Sequence, residues 1–234
     1  MRKIINIPIN FDILKVIALL TMTFDHIGRI LTPSFEAYLR LIGRVSFPIF
    51  VFLMVFNLSQ KDLFKKYISR LLSFALISSL TLFHFKNTLN DLLPLNILWT
   101  LLLGVVTIYS INKANLGFTN KFFKYCAFAY IIIFSLTLSL IIDYKYYGLF
   151  YILSMYAYFK NKHPTFALFS IILSYLINID ISTSASIISA ISTFILLLTI
   201  KQSEKHKRFI KPWWLFYAYY PTHLIVLYTI KIYW

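Results

Sequence analysis

The sequence predicts an all-α protein, a polytopic membrane bundle of about nine transmembrane helices that occupies residues 1–234 as a single domain. Hydrophobic residues make up 59% of its 234 positions, and charged residues only 13%. Apolar runs of roughly 15 to 22 residues recur along the chain, and each is close to the length that crosses a bilayer as a helix. Apolar and polar residues do not alternate at every second position in these runs, as they do in the strands of a membrane barrel. This composition excludes a water-soluble domain.

The apolar runs predict nine helices in chain order, roughly at residues 11 to 31, 45 to 59, 67 to 85, 92 to 112, 121 to 142, 146 to 159, 164 to 180, 182 to 200 and 212 to 233. The first run has charged residues at both ends and no small-residue cleavage site after it. We therefore expect a retained helix and not a signal peptide. The fifth helix carries the single cysteine, Cys126, which we expect to be a buried thiol.

The basic residues lie in short loops between the apolar runs. The net charge of +15 is therefore interpreted as a signal of membrane topology, and no nucleic-acid partner is expected. Counting lysines and arginines on the two sides predicts a cytoplasmic N-terminus. The loop "KQSEKHKRFIK" lies on the cytoplasmic side if all nine helices cross, and the odd number of crossings then places Trp234 outside.

The stretch "MTFDHIGRI" places charged and titratable side chains inside the first apolar run. Such groups are costly in a membrane segment, so they usually face the bundle interior and often mark a functional site. His26 lies about 21 Å along its helix from Asp12, and His223 lies about 18 Å beyond Lys211. Because the first and ninth helices run in the same direction, the two imidazoles are expected at similar depths. Together with Asp25 they predict a proton-transfer site.

Each of these residues also has a structural alternative. Asp25 and Arg29 are four residues apart, so they can form an ion pair at the outer end of the helix. His26 can form a hydrogen bond between helices. His223, which follows Pro221, can be an interfacial or interhelical histidine.

A second group of candidates lies in "LRLIGRVSFPIFVFLM" and "NILWTLLLG". Arg44 stands at the outer mouth of the second helix, where it either holds an anionic or carbonyl group or extends to the interface. Gly43 permits close backbone approach. Asn96 and Thr100 form a polar stripe at the outer end of the fourth helix, and such stripes more often bond neighbouring helices than substrates.

A basic cluster is predicted at the cytoplasmic mouths of the first three helices. It consists of Lys15, Lys65, Lys66 and Arg70, which could hold the phosphates of a cofactor, although positive loops are expected there on topological grounds as well. The sequence has no glycine-rich phosphate loop and no histidine and cysteine spacing typical of a metal site. No metal is therefore expected.

Several motifs in the same order resemble those of the TraX family. They are "LKVIALLTMTFDHIGRIL", "LRLIGRVSFPIFVFLM", "RLLSFALIS", "NILWTLLLG", "DYKYYGLFYILSMYAYFKNK" and "WWLFYAYYPTHLIVLY", and they span the chain from about Leu14 to Tyr228. The family includes the acetyltransferase of conjugative F-pilin and related fimbrial assembly proteins. It is similar in turn to a wider group of transmembrane acyltransferases that includes the lysosomal heparan-glucosaminide N-acetyltransferase.

The resemblance implies a multi-pass enzyme of the bacterial inner membrane, surrounded by lipid, that transfers an acetyl group from cytoplasmic acetyl-CoA. The acceptor would be the amino terminus of a pilin-like protein, or an amine or hydroxyl of a cell-surface saccharide. Whether the protein forms a homodimer stays open. Two other classes of function stay open as well, a proton-coupled transporter and a non-catalytic protein of pilus assembly.

The motifs carry over to Asp25, His26, Arg44, Asn96 and His223. We expect His26 to deprotonate the acceptor and Asp25 to orient it. Which of the two residues is the base stays open. Arg44 or Asn96 would stabilise the oxyanion, and His223 would shuttle protons or bind the acceptor. Two further sets of residues are expected at the site: Tyr220 at the substrate, and Lys15, Lys66 and Arg70 at the CoA phosphates.

Overall fold

The computed structural model describes residues 10–86, 93, 95–199 and 214–233, and these residues form α-helices without any strand. The helices are α1 (Phe11–Ile30), α2 (Glu36–Gly43), α3 (Ser46–Gln60), α4 (Phe64–Lys86), α5 (Ile97–Gly117), α6 (Lys121–Ser139), α7 (Lys145–Asn161), α8 (Pro164–Leu176), α9 (Thr183–Thr199) and α10 (Trp214–Tyr233). The predicted all-α class is confirmed. The loop "KQSEKHKRFIK" and residues 1–9, on which the predicted topology depends, lie outside the described residues.

Helix α2 is absent from the sequence prediction, and it changes the second element of the bundle. It is short and carries Glu36 and Arg40, which form an ion pair of 3.0 Å along the helix, so its sequence does not read as an apolar run. Helices α2 and α3 nevertheless form one helical span, Glu36–Gln60, of 25 residues. The remaining predicted helices are present, although α5 begins and ends later than expected.

Four of the described helical spans are long and apolar enough to cross a membrane. They are Glu36–Gln60, Phe64–Phe85, Ile97–Gly117 and Lys121–Ser139. Helices α8 and α9 are apolar but shorter. The chain is therefore a helical membrane protein, and the crossing of all nine predicted helices stays a prediction.

Helices α6 and α8 have an arrangement that suits lipid and not water. Their buried residues are serines, Ser135 and Ser139 on α6 and Ser170 and Ser174 on α8, whereas large apolar side chains on both helices are exposed. Small and polar residues at helix contacts, with apolar residues outside, are typical of membrane bundles. Cys126 is exposed on α6, so the expectation of a buried thiol is wrong, because α6 lies at the periphery.

The centre of the bundle is α3, whose residues from Ser46 to Val55 are almost all buried. It packs against α1, α7 and α9, and α1 also packs against α10. The first and last helices are thus neighbours. This contact brings together segments that lie almost 200 residues apart in the sequence.

Two glycines allow α2 to lie directly on α1. A Cβ atom at Gly28 would lie 3.3 Å from the Cα atom of Glu36, and one at Gly43 would lie 2.8 Å from the Asp25 Oδ1 atom. The contact at Gly43 is shorter than a Cβ atom adopts, and the contact at Gly28 is tight, so a larger residue would displace its neighbours at either position. The motifs "DHIG" and "LIGR" therefore specify a close helix pair, and this pair holds Asp25 and Arg44 against each other.

Candidate functional site

The imidazole rings of His26 on α1 and His223 on α10 are in direct contact. His26 Nδ1 and His223 Nε2 are 2.8 Å apart, and His223 Nδ1 lies 2.8 Å from the carbonyl oxygen of Tyr219. A carbonyl oxygen only accepts hydrogen bonds, so Nδ1 of His223 carries the hydrogen. In the neutral ring, Nε2 then accepts a hydrogen bond from His26 Nδ1. This order leaves His26 Nε2 without a hydrogen, as a base requires.

Asp25 lies beside His26 in sequence but points to other partners. Its carboxylate pairs with Arg44 from the α2–α3 junction and with Arg29 Nε, one turn further along α1, at 3.3 Å. Adjacent residues of a helix are about 100° apart, and here this separation directs His26 to α10 and Asp25 to α2. The predicted pair of Asp25 and Arg29 is present, together with a second and more buried arginine.

Arg44 is a junction between elements. Besides the bond to Asp25, its Nε donates to the Arg40 carbonyl oxygen at 3.1 Å, and its Nη1 donates to Asn178 Oδ1 at 3.2 Å. The residue is only 3% exposed. Since three of its nitrogen atoms already donate hydrogen bonds, the guanidinium ties α1, α2 and the end of α8 together.

A cavity of about 280 Å³ opens beside His26, and we call it the histidine cavity. It is lined by Met22, Asp25, His26, Arg29, Arg44, Ser46, Ile97, Asp143, Tyr144, Lys145, Tyr146, Tyr147, Ile177, Asp180, Ile181 and Tyr220. Charged and hydroxyl side chains predominate in this lining. The cavity therefore suits a polar molecule and not a hydrocarbon chain.

The loop between α6 and α7 forms one wall of the histidine cavity in a strained conformation. Tyr144 and Lys145 have φ angles of 62° and 43°. Residues other than glycine rarely adopt this region of backbone conformation. The loop is fixed by a hydrogen bond of 2.7 Å from the Asp143 amide to the Leu95 carbonyl and by stacking of Tyr144 on Phe47 at 4.2 Å. Burial raises the pKa of the Tyr144 phenol, so its hydroxyl stays a hydrogen-bond donor at neutral pH.

A second cavity of about 360 Å³ lies toward the start of α1, and we call it the basic cavity. Its lining is Lys15, Leu19, Met22, Phe50, Leu53, Met54, Asn57, Lys61, Leu63, Lys66, Tyr67, Arg70, Leu71, Ile97, Leu98, Leu101, Phe216, Tyr217 and Tyr220. Cations stand at its mouth and apolar side chains line its depth. A ligand with an anionic head and a slender apolar arm matches this distribution of charge.

Lys15, Lys66 and Arg70 are brought together in the basic cavity, as their predicted role requires. Lys15 also pairs with Asp12 at 2.7 Å. Lys61 lines the same cavity and is not singled out by the sequence, because it lies at the end of α3 among ordinary loop residues. Lys65 is exposed on α4 and is not among the described residues of either cavity.

The two cavities have three lining residues in common, Met22, Ile97 and Tyr220, and we call these three residues the throat. All three are buried. The ring of Tyr220 is 5.9 Å from that of His26 and 5.4 Å from that of His223. The throat thus belongs to the lining of both cavities and lies next to the imidazole pair.

Asn96 and Thr100 lie outside the lining of both cavities, as far as the described residues show. Asn96 Oδ1 accepts a hydrogen bond from the Leu98 amide at 3.0 Å, and its Nδ2 donates to Ser78 Oγ at 3.0 Å. Thr100 Oγ1 donates to the Asp143 carbonyl at 2.6 Å. These contacts cap α5 and join it to neighbouring segments.

Four residues of the site carry little signal in the sequence. Tyr144 and Asp180 line the histidine cavity, Asn178 holds Arg44, and Arg29, expected only as a partner of Asp25, lines the cavity as well. A strained turn in "DYKYY" has no glycine to mark it. No group of three potential metal-ligating side chains is found in the described part of the chain.

Comparison with known proteins identifies a family. The profile of the family described as "TraX protein" matches residues 10–231. An uncharacterized protein of Rickettsia prowazekii (strain Madrid E) is 32% identical over 117 residues, which cover 50% of this chain and 43% of that relative. No solved structure matches. Since the profile covers nearly the whole chain, including both cavities, this protein belongs to the TraX family.

Proposed function

We propose that this protein is an integral membrane acyltransferase that transfers an acetyl group from acetyl-CoA to an amine or hydroxyl acceptor. The observation that carries this proposal is the pair of cavities that meet at the throat, one basic and one beside two hydrogen-bonded histidines. Donor and acceptor can therefore enter from different ends and meet at one base. The acetyltransferase activity implied by the family resemblance needs such an arrangement.

The basic cavity supports CoA as the donor. Lys61 and Lys66 are exposed cations at its mouth, with Lys15 and Arg70 beside them, and cations of this kind hold phosphates. Lys15 and His26 are separated by about 16 Å along α1. The extended pantetheine arm of CoA can cover this distance, so the phosphates can stay at the basic mouth while the thioester reaches His26.

The chemistry follows from the hydrogen-bond order of the histidine pair. The acceptor nitrogen or oxygen attacks the thioester carbonyl carbon, and His26 Nε2 takes the acceptor proton. The new C–N or C–O bond forms as the C–S bond breaks. The proton held by His26 then passes to the leaving thiolate, which departs as the CoA thiol. His223 keeps the His26 ring in the required tautomer and stabilises the imidazolium that forms in between.

The charged side chains of the histidine cavity support the remaining roles. Arg29 is the more exposed arginine of the Asp25 pair, and the Tyr144 hydroxyl is a neutral donor in the same cavity. These groups, with Arg44, can stabilise the developing oxyanion. Asp25 fixes both arginines, which makes it an orienting residue, and His26 is the base in this proposal.

The cellular setting follows from the donor. Acetyl-CoA is cytoplasmic, so the basic cavity faces the cytoplasm and the histidine cavity faces the outside of the bacterial inner membrane. This orientation agrees with the predicted cytoplasmic N-terminus. The acceptor is then a pilin-like protein with a free amino terminus, or a surface saccharide.

The test compares His26→Ala with the wild-type protein in cells that lack their own copy of the gene. Membrane vesicles from these cells receive acetyl-CoA labelled on the acetyl group, and mass spectrometry of surface pilins and glycans identifies the acetylated component. We expect His26→Ala to lower label transfer at least about 100-fold, since it removes the general base. The exposed histidine of α4 provides a matched control, and His84→Ala is expected to retain the activity. Normal transfer by folded His26→Ala protein would contradict the proposed mechanism.

A further inference from the structure

The throat lies one helical turn before the imidazole pair on both helices that carry it. Met22 precedes His26 by four residues on α1, and Tyr220 precedes His223 by three residues on α10. Residues at these separations lie on the same face of a helix. Ile97 completes the throat from the first turn of α5. A group that approaches His26 from the basic cavity therefore passes these three side chains.

We propose that Met22, Ile97 and Tyr220 set the length of the acyl group and restrict the transfer to short acyl chains. This inference rests on the proposed acyltransferase function and adds to it the residues that select the donor. In this proposal the thioester carbonyl lies beside His26, with the sulfur and the alkyl group at the level of the throat. The space between the three side chains then decides which alkyl groups fit.

The burial of the throat makes it a narrow site. Met22, Ile97 and Tyr220 are 4%, 7% and 5% exposed, and all three belong to the main hydrophobic core. Side chains in such a core are close-packed, so each additional methylene group displaces a neighbour. A methyl group requires the least displacement, and a propyl group requires considerably more.

The polarity of the histidine cavity makes it unfavourable for a longer alkyl chain to extend into that cavity. A longer alkyl chain could extend past His26, but it would there meet Asp25, Arg29, Asp143 and Asp180. Covering the exposed Arg29 and Asp180 with hydrocarbon removes their charges from water, which is unfavourable. The alkyl group is therefore confined to the apolar throat.

The test measures donor selectivity in membrane vesicles that contain the full chain. The probes are acetyl-CoA, propionyl-CoA and butyryl-CoA, each labelled on the acyl group, with the native membranes as the source of acceptor. We expect Met22→Ala and Ile97→Ala to raise the ratio of butyryl to acetyl transfer about tenfold, since one methylene group is commonly worth a factor of this size in a shaped pocket. Tyr220→Phe keeps the ring and is expected to leave the ratio unchanged.

Matched controls come from residues that line the basic cavity alone, among the described residues. Met54→Ala and Leu101→Ala remove side chains of the same size, and Leu101 lies one turn from Ile97 on α5. These variants are expected to keep the wild-type ratio. If Ile97→Ala is not recovered in the membrane, Ile97→Val replaces it with a smaller expected shift.

The outcomes separate the inference from the function on which it rests. A ratio that stays constant in the throat variants, or that rises equally in the controls, overturns the inference while acetyl transfer by the wild-type protein still supports the function. Absence of acetyl transfer by the wild-type protein contradicts the proposed function, and the inference with it. A tenfold rise confined to the throat variants supports both.

Discussion

Asp25 places one carboxylate between two guanidinium groups that differ in burial. The side chain of Arg29 is 41% exposed, whereas that of Arg44 is 2% exposed. Water can solvate Arg29 if its ion pair is lost. Arg44 depends on its protein partners, since a buried charge without a partner is strongly unfavourable. The two arginines of the same carboxylate therefore contribute differently to stability.

We expect Arg44→Ala to lower the free energy of unfolding by about 3–5 kcal/mol, because it leaves Asp25 and Asn178 buried without their main partner. Arg29→Ala is the matched variant, and its expected cost is below about 1 kcal/mol because its ion pair is partly exposed. Thermal unfolding of both variants in detergent, followed by circular dichroism, measures the difference. Equal losses of stability in the two variants would show that burial does not govern this cluster.

At the level of elements, the close pair of α1 and α2 fixes the geometry of the site. Gly43 lies where a Cβ atom would contact the Asp25 side chain, so the glycine sets the distance between the helix that carries the carboxylate and the junction that carries Arg44. At Gly117, the end of α5, a Cβ atom would meet no other atom within 4 Å. Gly43 is thus tightly packed, whereas Gly117 borders open space.

Gly43→Ala is expected to destabilise the protein by about 1–3 kcal/mol, as overpacking does, and to lower acetyl transfer because it shifts Arg44 relative to Asp25. Gly117→Ala meets open space, so its expected effect on stability lies within about 0.5 kcal/mol. The melting temperature and the acetyl transfer rate of each variant provide the measurement. Wild-type behaviour of Gly43→Ala would mean that α2 can move away from α1 without cost to the site.

The elements differ in how far the sequence can predict them. Helix α1 is predicted almost to the residue, because its apolar run is long. In the structure Asn10 caps its start. Helix α2 escapes prediction because eight residues with Glu36 and Arg40 carry too little apolar signal for a membrane helix. Asn96 is a sequence candidate for the oxyanion, whereas its side chain caps α5 and bonds Ser78. Such a local role is difficult to separate from a catalytic one by spacing alone.

For the whole molecule, helix direction and depth predict the convergence of His26 and His223 from the sequence. The cavities are not predictable in this way, because each is lined by segments from several helices whose packing depends on shape and not on periodicity. The throat in particular combines α1, α5 and α10, and nothing in the local sequence of Ile97 distinguishes it from other apolar residues. Candidate residues of this kind can be identified only once the helices are assembled.

The arrangement of the whole bundle predicts that the two turns that flank the span Glu36–Gln60 lie on opposite faces of the membrane. We replace Cys126 with serine, because it is exposed, and introduce Ser34→Cys in one turn and Asp62→Cys in the other, both at exposed positions. A membrane-impermeant maleimide is expected to label Ser34→Cys from outside intact cells, and Asp62→Cys only in inverted vesicles. Labelling of both from the same side would exclude this topology.

The throat has a further consequence for the cell that carries this protein. A water-filled passage between the two cavities would conduct protons and small ions, and it would dissipate the membrane potential. Met22, Ile97 and Tyr220 are buried core side chains that line both cavities, so we expect the same three residues to limit the passage of ions. Under the proposed function, an acetyl group would cross the bilayer on its carrier while the ion gradient is preserved.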